Sequence, residues 1–164
     1  MKRFSLLFLI TLNQLMAKEC REIRMAFDLG STAIKMAVAE VDFCETKILD
    51  VILRESRRID FQSDLYKSDN QCFSRKIMWE ALSVISEMNH LAKPYKPKRS
   101  IAVGTSVFRR ALNSIHFSNK LEKWFKLPLI ILSPKQKGRL SFEAVRSTVQ
   151  TPRERIVVWE IGAS

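Results

Sequence analysis

The stretch Met25-Ala26-Phe27-Asp28-Leu29-Gly30-Ser31-Thr32-Ala33-Ile34-Lys35-Met36-Ala37-Val38 constrains the fold most, because apolar residues with strand periodicity flank a small polar turn. Ile34, Met36 and Val38 alternate with Lys35, Ala37 and Ala39, which puts three apolar side chains on one face of a strand. An apolar run ends at Asp28, and Gly30-Ser31-Thr32 supplies turn chemistry, so Met25–Val41 predicts a hairpin. Gly30 permits close backbone approach or positive φ, Ser31 and Thr32 add hydroxyls, and their consecutive amides suit an anion. Asp28 is the natural metal or water ligand beside that turn. The competing reading is a plain hairpin that uses Gly, Ser and Asp for geometry alone.

A chain of 164 residues, 46% apolar and 27% charged, sustains one compact core and is not a disordered polymer. Its 28 basic against 17 acidic residues, +11 net, favour polyanionic partners such as polyphosphate, nucleic acid or an anionic membrane surface. Bulk charge does not choose among them, and a basic surface also serves solubility alone. Cys20, Cys44 and Cys72 show no short paired spacing for zinc or redox chemistry, and an odd count argues against a full disulfide framework. They are expected as small, partly buried residues. His90 and His116 have no visible catalytic partner.

Residues 1–17 read as a signal-like segment. Lys2 and Arg3 precede the apolar run Phe4–Leu12, and Ala17 offers a small residue for cleavage, which predicts a periplasmic or secreted mature chain. The run is too short for a comfortable membrane span. Two other readings stand: an uncleaved anchor, or an extension preceding a true start at Met25, with a cytoplasmic chain. Residues 18–155 are expected to form the main domain and residues 156–164 the start of a second.

Lys47–Arg57 predicts a third strand, and Asp60–Gln71 has the composition of a loop. Ile77, Met78, Ala81, Leu82, Ile85 and Met88 recur at helical spacing within Phe73–Leu91. Ser100–Gly104 reads as a buried strand, with Thr105 or Ser106 capping the helix after it. Ser114–Lys126 is amphipathic, with Ile115, Phe117, Leu121, Trp124 and Phe125 suited to burial. Leu129–Leu132 is a short inner strand, and Ser133-Pro134 opens a final helix. Three meander strands followed by helix, strand, helix, strand, helix define an α/β domain with a mixed sheet and flanking helices.

Four segments, in order, resemble the exopolyphosphatase and guanosine pentaphosphate phosphohydrolase (Ppx/GppA) family. Asp28-Leu29-Gly30-Ser31 with Lys35 resembles its first phosphate loop, and Gly104-Thr105-Ser106-Val107-Phe108-Arg109 its Ala-Thr-Ser-Ala-Leu-Arg stretch. Leu132-Ser133-Pro134 resembles its Leu-Ser-Gly helix start, and Glu160-Ile161-Gly162-Ala163-Ser164 its second phosphate loop. The resemblance implies a ribonuclease-H-like (actin-like ATPase) domain that hydrolyses the terminal phosphoanhydride of polyphosphate or guanosine pentaphosphate. It implies that Gly30, Ser31, Thr32, Lys35 and Arg109 bind phosphate, and that Asp28 and Glu160 organise magnesium. A second copy of the chain is a further expected partner; specific nucleic acid and a stable membrane span are not.

The chain also departs from that pattern. Gln136-Lys137 stands where active members carry Glu-Glu, the carboxylate expected to act as general base, and Gly138 replaces alanine. Glu160 replaces aspartate, and Ala163 replaces glycine. No catalytic base is assigned; Glu143 is the nearest alternative carboxylate. The departures support a second reading, a degenerate polyanion-binding or interaction module.

Overall fold

The computed structural model describes residues 20–148 and 157–158; the signal-like segment and Glu160 lie outside the described residues. The strands are β1 (Arg21–Leu29), β2 (Ala33–Asp42), β3 (Lys47–Arg58), β4 (Arg99–Gly104) and β5 (Leu129–Ile131). The helices are α1 (Phe61–Tyr66), α2 (Arg75–Ala92), α3 (Ser106–Arg110), α4 (Ser114–Phe125) and α5 (Pro134–Thr148). The sheet order is β3-β2-β1-β4-β5. β2 runs antiparallel to both β1 and β3, whereas β4 runs parallel to β1 and β5 to β4. A three-strand meander extended by two parallel crossover strands is the ribonuclease-H-like plan expected from the sequence.

The strand alternation places the core. Met25, Phe27 and Leu29 of β1, Ile34, Met36 and Val38 of β2 and Ala102 of β4 are buried on the face that the helices cover. Ile77, Ala81, Leu82, Ile85 and Met88 form the buried stripe of α2, which starts where the Ser74 hydroxyl accepts from the Ile77 amide at 3.2 Å. Four phenylalanines then join the helices to one another. Phe61 of α1 and Phe108 of α3 have ring centroids 5.0 Å apart, Phe73 lies 5.1 Å from Phe108, and Phe117 of α4 lies 5.8 Å from Phe108. Among the described residues, no helix is long and apolar enough to cross a membrane.

Three expectations need correction. Asp60–Gln71 is not a plain loop, because Phe61–Tyr66 is helical. The Asp60 carboxylate accepts from the Ser63 amide at 3.0 Å and the Ser63 hydroxyl at 2.9 Å, and Phe61 and Leu65, one turn apart, are both buried. Trp124 and Ile115 are not core residues: they are 44% and 59% exposed, because α4 buries only the stripe of Phe117 and Leu121. Cys20 and Cys44 are joined as a disulfide. The antiparallel register pairs Arg21 with Asp42, and the Phe43 amide donates to the Cys20 carbonyl at 2.9 Å, so the ladder itself brings two distant cysteines together. Cys72 alone keeps the expected free, half-buried state.

The two Ser63 donors, chiefly the amide and then the hydroxyl, hold the Asp60 carboxyl below its ordinary value of 3.8, with Arg58 and Lys67 adding smaller attractions. A depressed folded value means that this cap stabilises above the carboxylate range and is lost as pH falls through it. Asp60→Ala is expected to lower unfolding free energy by about 1 kcal/mol at neutral pH. Urea midpoints for both proteins should converge in acid; a constant gap would contradict the cap.

Candidate functional site

The turn between β1 and β2 is tight. The Gly30 amide donates to the Ala33 carbonyl at 2.9 Å, and a Cβ on Gly30 would lie 3.1 Å from that same oxygen. Positive φ is not the reason for glycine here, since no described glycine adopts it. The junction between β3 and α1 holds the turn from one side: the Ile59 amide donates to the Thr32 carbonyl at 3.1 Å and the Gln62 amide to the Ser31 carbonyl at 2.9 Å.

Sheet topology holds it from the other side. β1 and β4 are parallel neighbours that end in register at Leu29 and Gly104, so the segments leaving them emerge side by side. The result is a contact across 75 positions of sequence, with the buried Ser31 hydroxyl 3.3 Å from the Ser106 hydroxyl. The C-terminal ends of adjacent parallel strands are where open α/β sheets form ligand crevices. Gly104 lets α3 start this close, because a Cβ there would sit 3.1 Å from Cβ and Cγ of buried Phe108. Thr105 occupies the cap position of α3 without a side-chain cap bond, so the expected Thr or Ser cap is not made there.

The predicted residues separate into three groups around this contact. Gly30, Ser31 and Thr32 form the turn, and Thr32 opens onto a cavity of about 660 Å³ shared with Gln62, Lys67, Gln71 and Arg110. Arg109 points elsewhere: its guanidinium donates to the Leu132 carbonyl at 2.6 Å, at the junction of β5 and α5. Asp28 and Lys35 face each other in the β1–β2 register, on the side away from the core, and share a cleft of about 410 Å³ with Arg54 and Val103. Among the described residues, Cys20, Asp42 and Cys44 are the cluster with metal-ligand spacing, but both sulfurs are in the disulfide, and Asp42 accepts from the amides of Cys44 and Glu45.

Gln136 has a structural role that the sequence reading missed. Its side-chain oxygen accepts from the Ser133 amide at 2.9 Å, while the Ser133 hydroxyl accepts from the Gln136 amide at 3.2 Å. This reciprocal pair is a capping box, and Ser-x-x-Gln before an apolar helix stripe is its sequence signature. Glu143, the alternative carboxylate, pairs with Arg146 at 2.9 Å on α5. Lys67 and Arg110, which bring positive charge to the Thr32 cavity, were also missed; the doublet Arg109-Arg110 was the available signal.

Residues 38–164 match the sequence model of the Ppx/GppA phosphatase family. The structure is similar to a Ppx/GppA family member from Aquifex aeolicus, with a TM-score of 0.69 at 22% identity over 80% of this chain and 41% of that one. It is also similar to an exopolyphosphatase-like protein (TM-score 0.71, 21% identity, 81% and 39% of the two chains). An exopolyphosphatase from Cytophaga hutchinsonii gives a TM-score of 0.67 at 15% identity, over 78% of this chain and 39% of that one. The chain therefore spans about two fifths of the length of these structures.

The close approach at Gly104 gives a direct check on this geometry. Gly104→Ala should cost about 1–3 kcal/mol through overpacking against Phe108, whereas Gly138→Ala, where an added Cβ meets nothing within 4 Å, should be neutral or stabilising. Denaturation midpoints compare them; equal effects would refute the tight contact.

Proposed function

Because the chain belongs to the Ppx/GppA phosphatase family, we propose that its domain is the phosphate-holding half of a phosphoanhydride-hydrolase cleft, with polyphosphate or a guanosine polyphosphate as ligand. The observation that carries this reading is the 3.3 Å approach of Ser31 to Ser106, which brings two loop segments and their hydroxyls together at the strand ends. In this reading the turn receives a phosphate through the Ser31 and Thr32 amides and hydroxyls, with Lys67 and Arg110 of the adjoining cavity supplying positive charge. Lys35 and Arg109, proposed as further phosphate contacts on the family resemblance, lie outside that cavity. The bond from Arg109 to Leu132 commits one guanidinium donor and fixes the fork, leaving other donors for an anion. The ligand is positioned by fixed dipoles and charges, and the protein's own covalent role is small.

Asp28 fits magnesium by donor chemistry: a hard carboxylate beside a phosphate loop is the partial ligand set that this ion takes, with water and phosphate oxygens completing it. Bound magnesium would neutralise phosphate charge. Glu160 is the second carboxylate proposed for it.

The same domain binds without cleaving when it stands alone, in our reading. Gln136 lies where the family's base carboxylate is expected, and its amide side chain is engaged in capping α5. We further propose that the chain matures in an oxidising compartment, supported by the Cys20–Cys44 disulfide and the signal-like start.

Polyphosphate binding measured by gel shift should fall more for Arg109→Ala than for Lys47→Ala, although each removes one positive charge; equal losses would leave only bulk charge. The 164-residue chain should release no phosphate from polyphosphate with magnesium, and Gln136→Glu should neither restore release nor alter stability, since glutamate also completes a capping box. Magnesium-dependent release by the unmodified chain would refute the binding-only reading. For localisation, the mature chain should begin near Lys18 and alkylate one thiol before reduction and three after, counting Cys20, Cys44 and Cys72. Three reactive thiols without reductant would sink that proposal.

A further inference from the structure

Away from the strand-end crevice, α2 and α4 carry an aromatic pair that the core does not use. Trp79 of α2 and Trp124 of α4 have ring centroids 5.4 Å apart at an interplanar angle of 35°. They remain 57% and 44% exposed. The Lys120 ammonium lies over both rings, 5.2 Å from the Trp79 centroid and 4.9 Å from that of Trp124. A pair that served only to fasten two helices would bury its rings, as the four phenylalanines do. Instead these indoles keep a large apolar area in water, at a cost that scales with that area.

The surroundings define what would cover them. A cleft of about 330 Å³ beside the pair is lined by Arg75, Met78, Trp79, Leu82 and Lys120, so an aromatic wall and an apolar floor meet two cations. Exposed Lys76 precedes Trp79 by three residues, and exposed Lys123 adjoins Trp124. On these two helix segments Arg75, Lys76, Lys120 and Lys123 outnumber the acidic neighbours Glu80 and Glu122, within a chain of net charge +11. A matching ligand has flat apolar faces and negative charge in the same repeating unit. Polyphosphate has the charge without the faces, and an apolar peptide has faces without the charge.

We propose that Trp79, Trp124 and Lys120 form a stacking platform for single-stranded nucleic acid, with bases on the indoles and phosphodiesters on Arg75, Lys120 and Lys123. Base–aromatic stacking tolerates any sequence because every base has a π face, and the cations set a salt-dependent background. This activity is independent of the phosphate-loop reading, since the platform shares no residue with the crevice around Ser31 and Ser106.

The test compares a short labelled oligothymidylate with an abasic phosphodiester strand of equal length, by fluorescence anisotropy with the full chain. The charges are identical and only the bases differ. The oligothymidylate should bind roughly tenfold more tightly. Trp79→Ala and Trp124→Ala should each reduce that ratio, while Lys47→Ala should weaken both ligands equally and keep it; circular dichroism verifies folding. Equal binding of the two strands by the unmodified chain would overturn the platform without recourse to any variant. So would unchanged ratios in folded tryptophan variants. Polyglutamate bound as tightly as oligothymidylate, with the same tryptophan dependence, would also overturn it and assign the patch to an acidic protein partner.

Discussion

The cluster of Phe61, Phe73, Phe108 and Phe117 is the contact on which the rest of this structure depends. Each ring comes from a different segment: α1, the approach to α2, α3 and α4. Two of those segments, α1 and α3, are too short to persist as isolated helices, because nucleating a helix of one or two turns costs more than its few hydrogen bonds return. Their geometry is therefore borrowed from tertiary packing. Removing a fully buried phenylalanine from such a cluster typically costs about 3–5 kcal/mol, a large share of a domain's net stability. The candidate site inherits this dependence, since Gln62 of α1 pins the Ser31 carbonyl and α3 carries Ser106.

A division of labour follows. The sheet brings the Ser31 and Ser106 segments together through the parallel β1–β4 register, and the aromatic cluster fixes their distance and orientation. Gly104 makes the two compatible. With a Cβ at Gly104, Phe108 could not seat where it does while α3 starts directly after β4. Glycine there answers a packing requirement, and the glycine of the turn answers another, the approach of the Ala33 carbonyl. Neither uses the left-handed freedom for which glycine is often chosen.

Much of this was legible from periodicity. Ile34, Met36 and Val38 gave the strand after the turn, and the Ile77–Met88 stripe gave α2, because burial on one face is what those spacings encode. The features that escaped all depend on partners distant in sequence or on alternatives of equal local merit. Phe61 and Leu65 alone are too little pattern for a helix. The Cys20–Cys44 bond exists because a strand register aligns residues 24 apart, not because of any cysteine motif. Trp124 has helical spacing to Leu121 and Phe117, and only the narrowness of the interface of α4 leaves it outside. Arg109 matched a phosphate-contacting pattern, yet no sequence rule foretells its bond to the Leu132 carbonyl.

Gln136 shows how a structural role and a chemical role at one position can part company. A capping box accepts either glutamate or glutamine at its third helical position, since both side chains present an oxygen to the cap amide. Exchanging one for the other therefore leaves the start of α5 satisfied. The same exchange removes a titratable carboxylate, and an amide cannot take a proton from water at neutral pH. Stability is thus blind to a change in the acid–base chemistry of this position. The candidate site is different, because the Ser31 turn, Gly104 and the phenylalanine cluster are tied to the fold's stability, and damage there would cost folding itself. A change at position 136 between glutamate and glutamine is therefore invisible to folding, whereas an added Cβ at Gly30 or Gly104 would meet the Ala33 carbonyl or the Phe108 side chain.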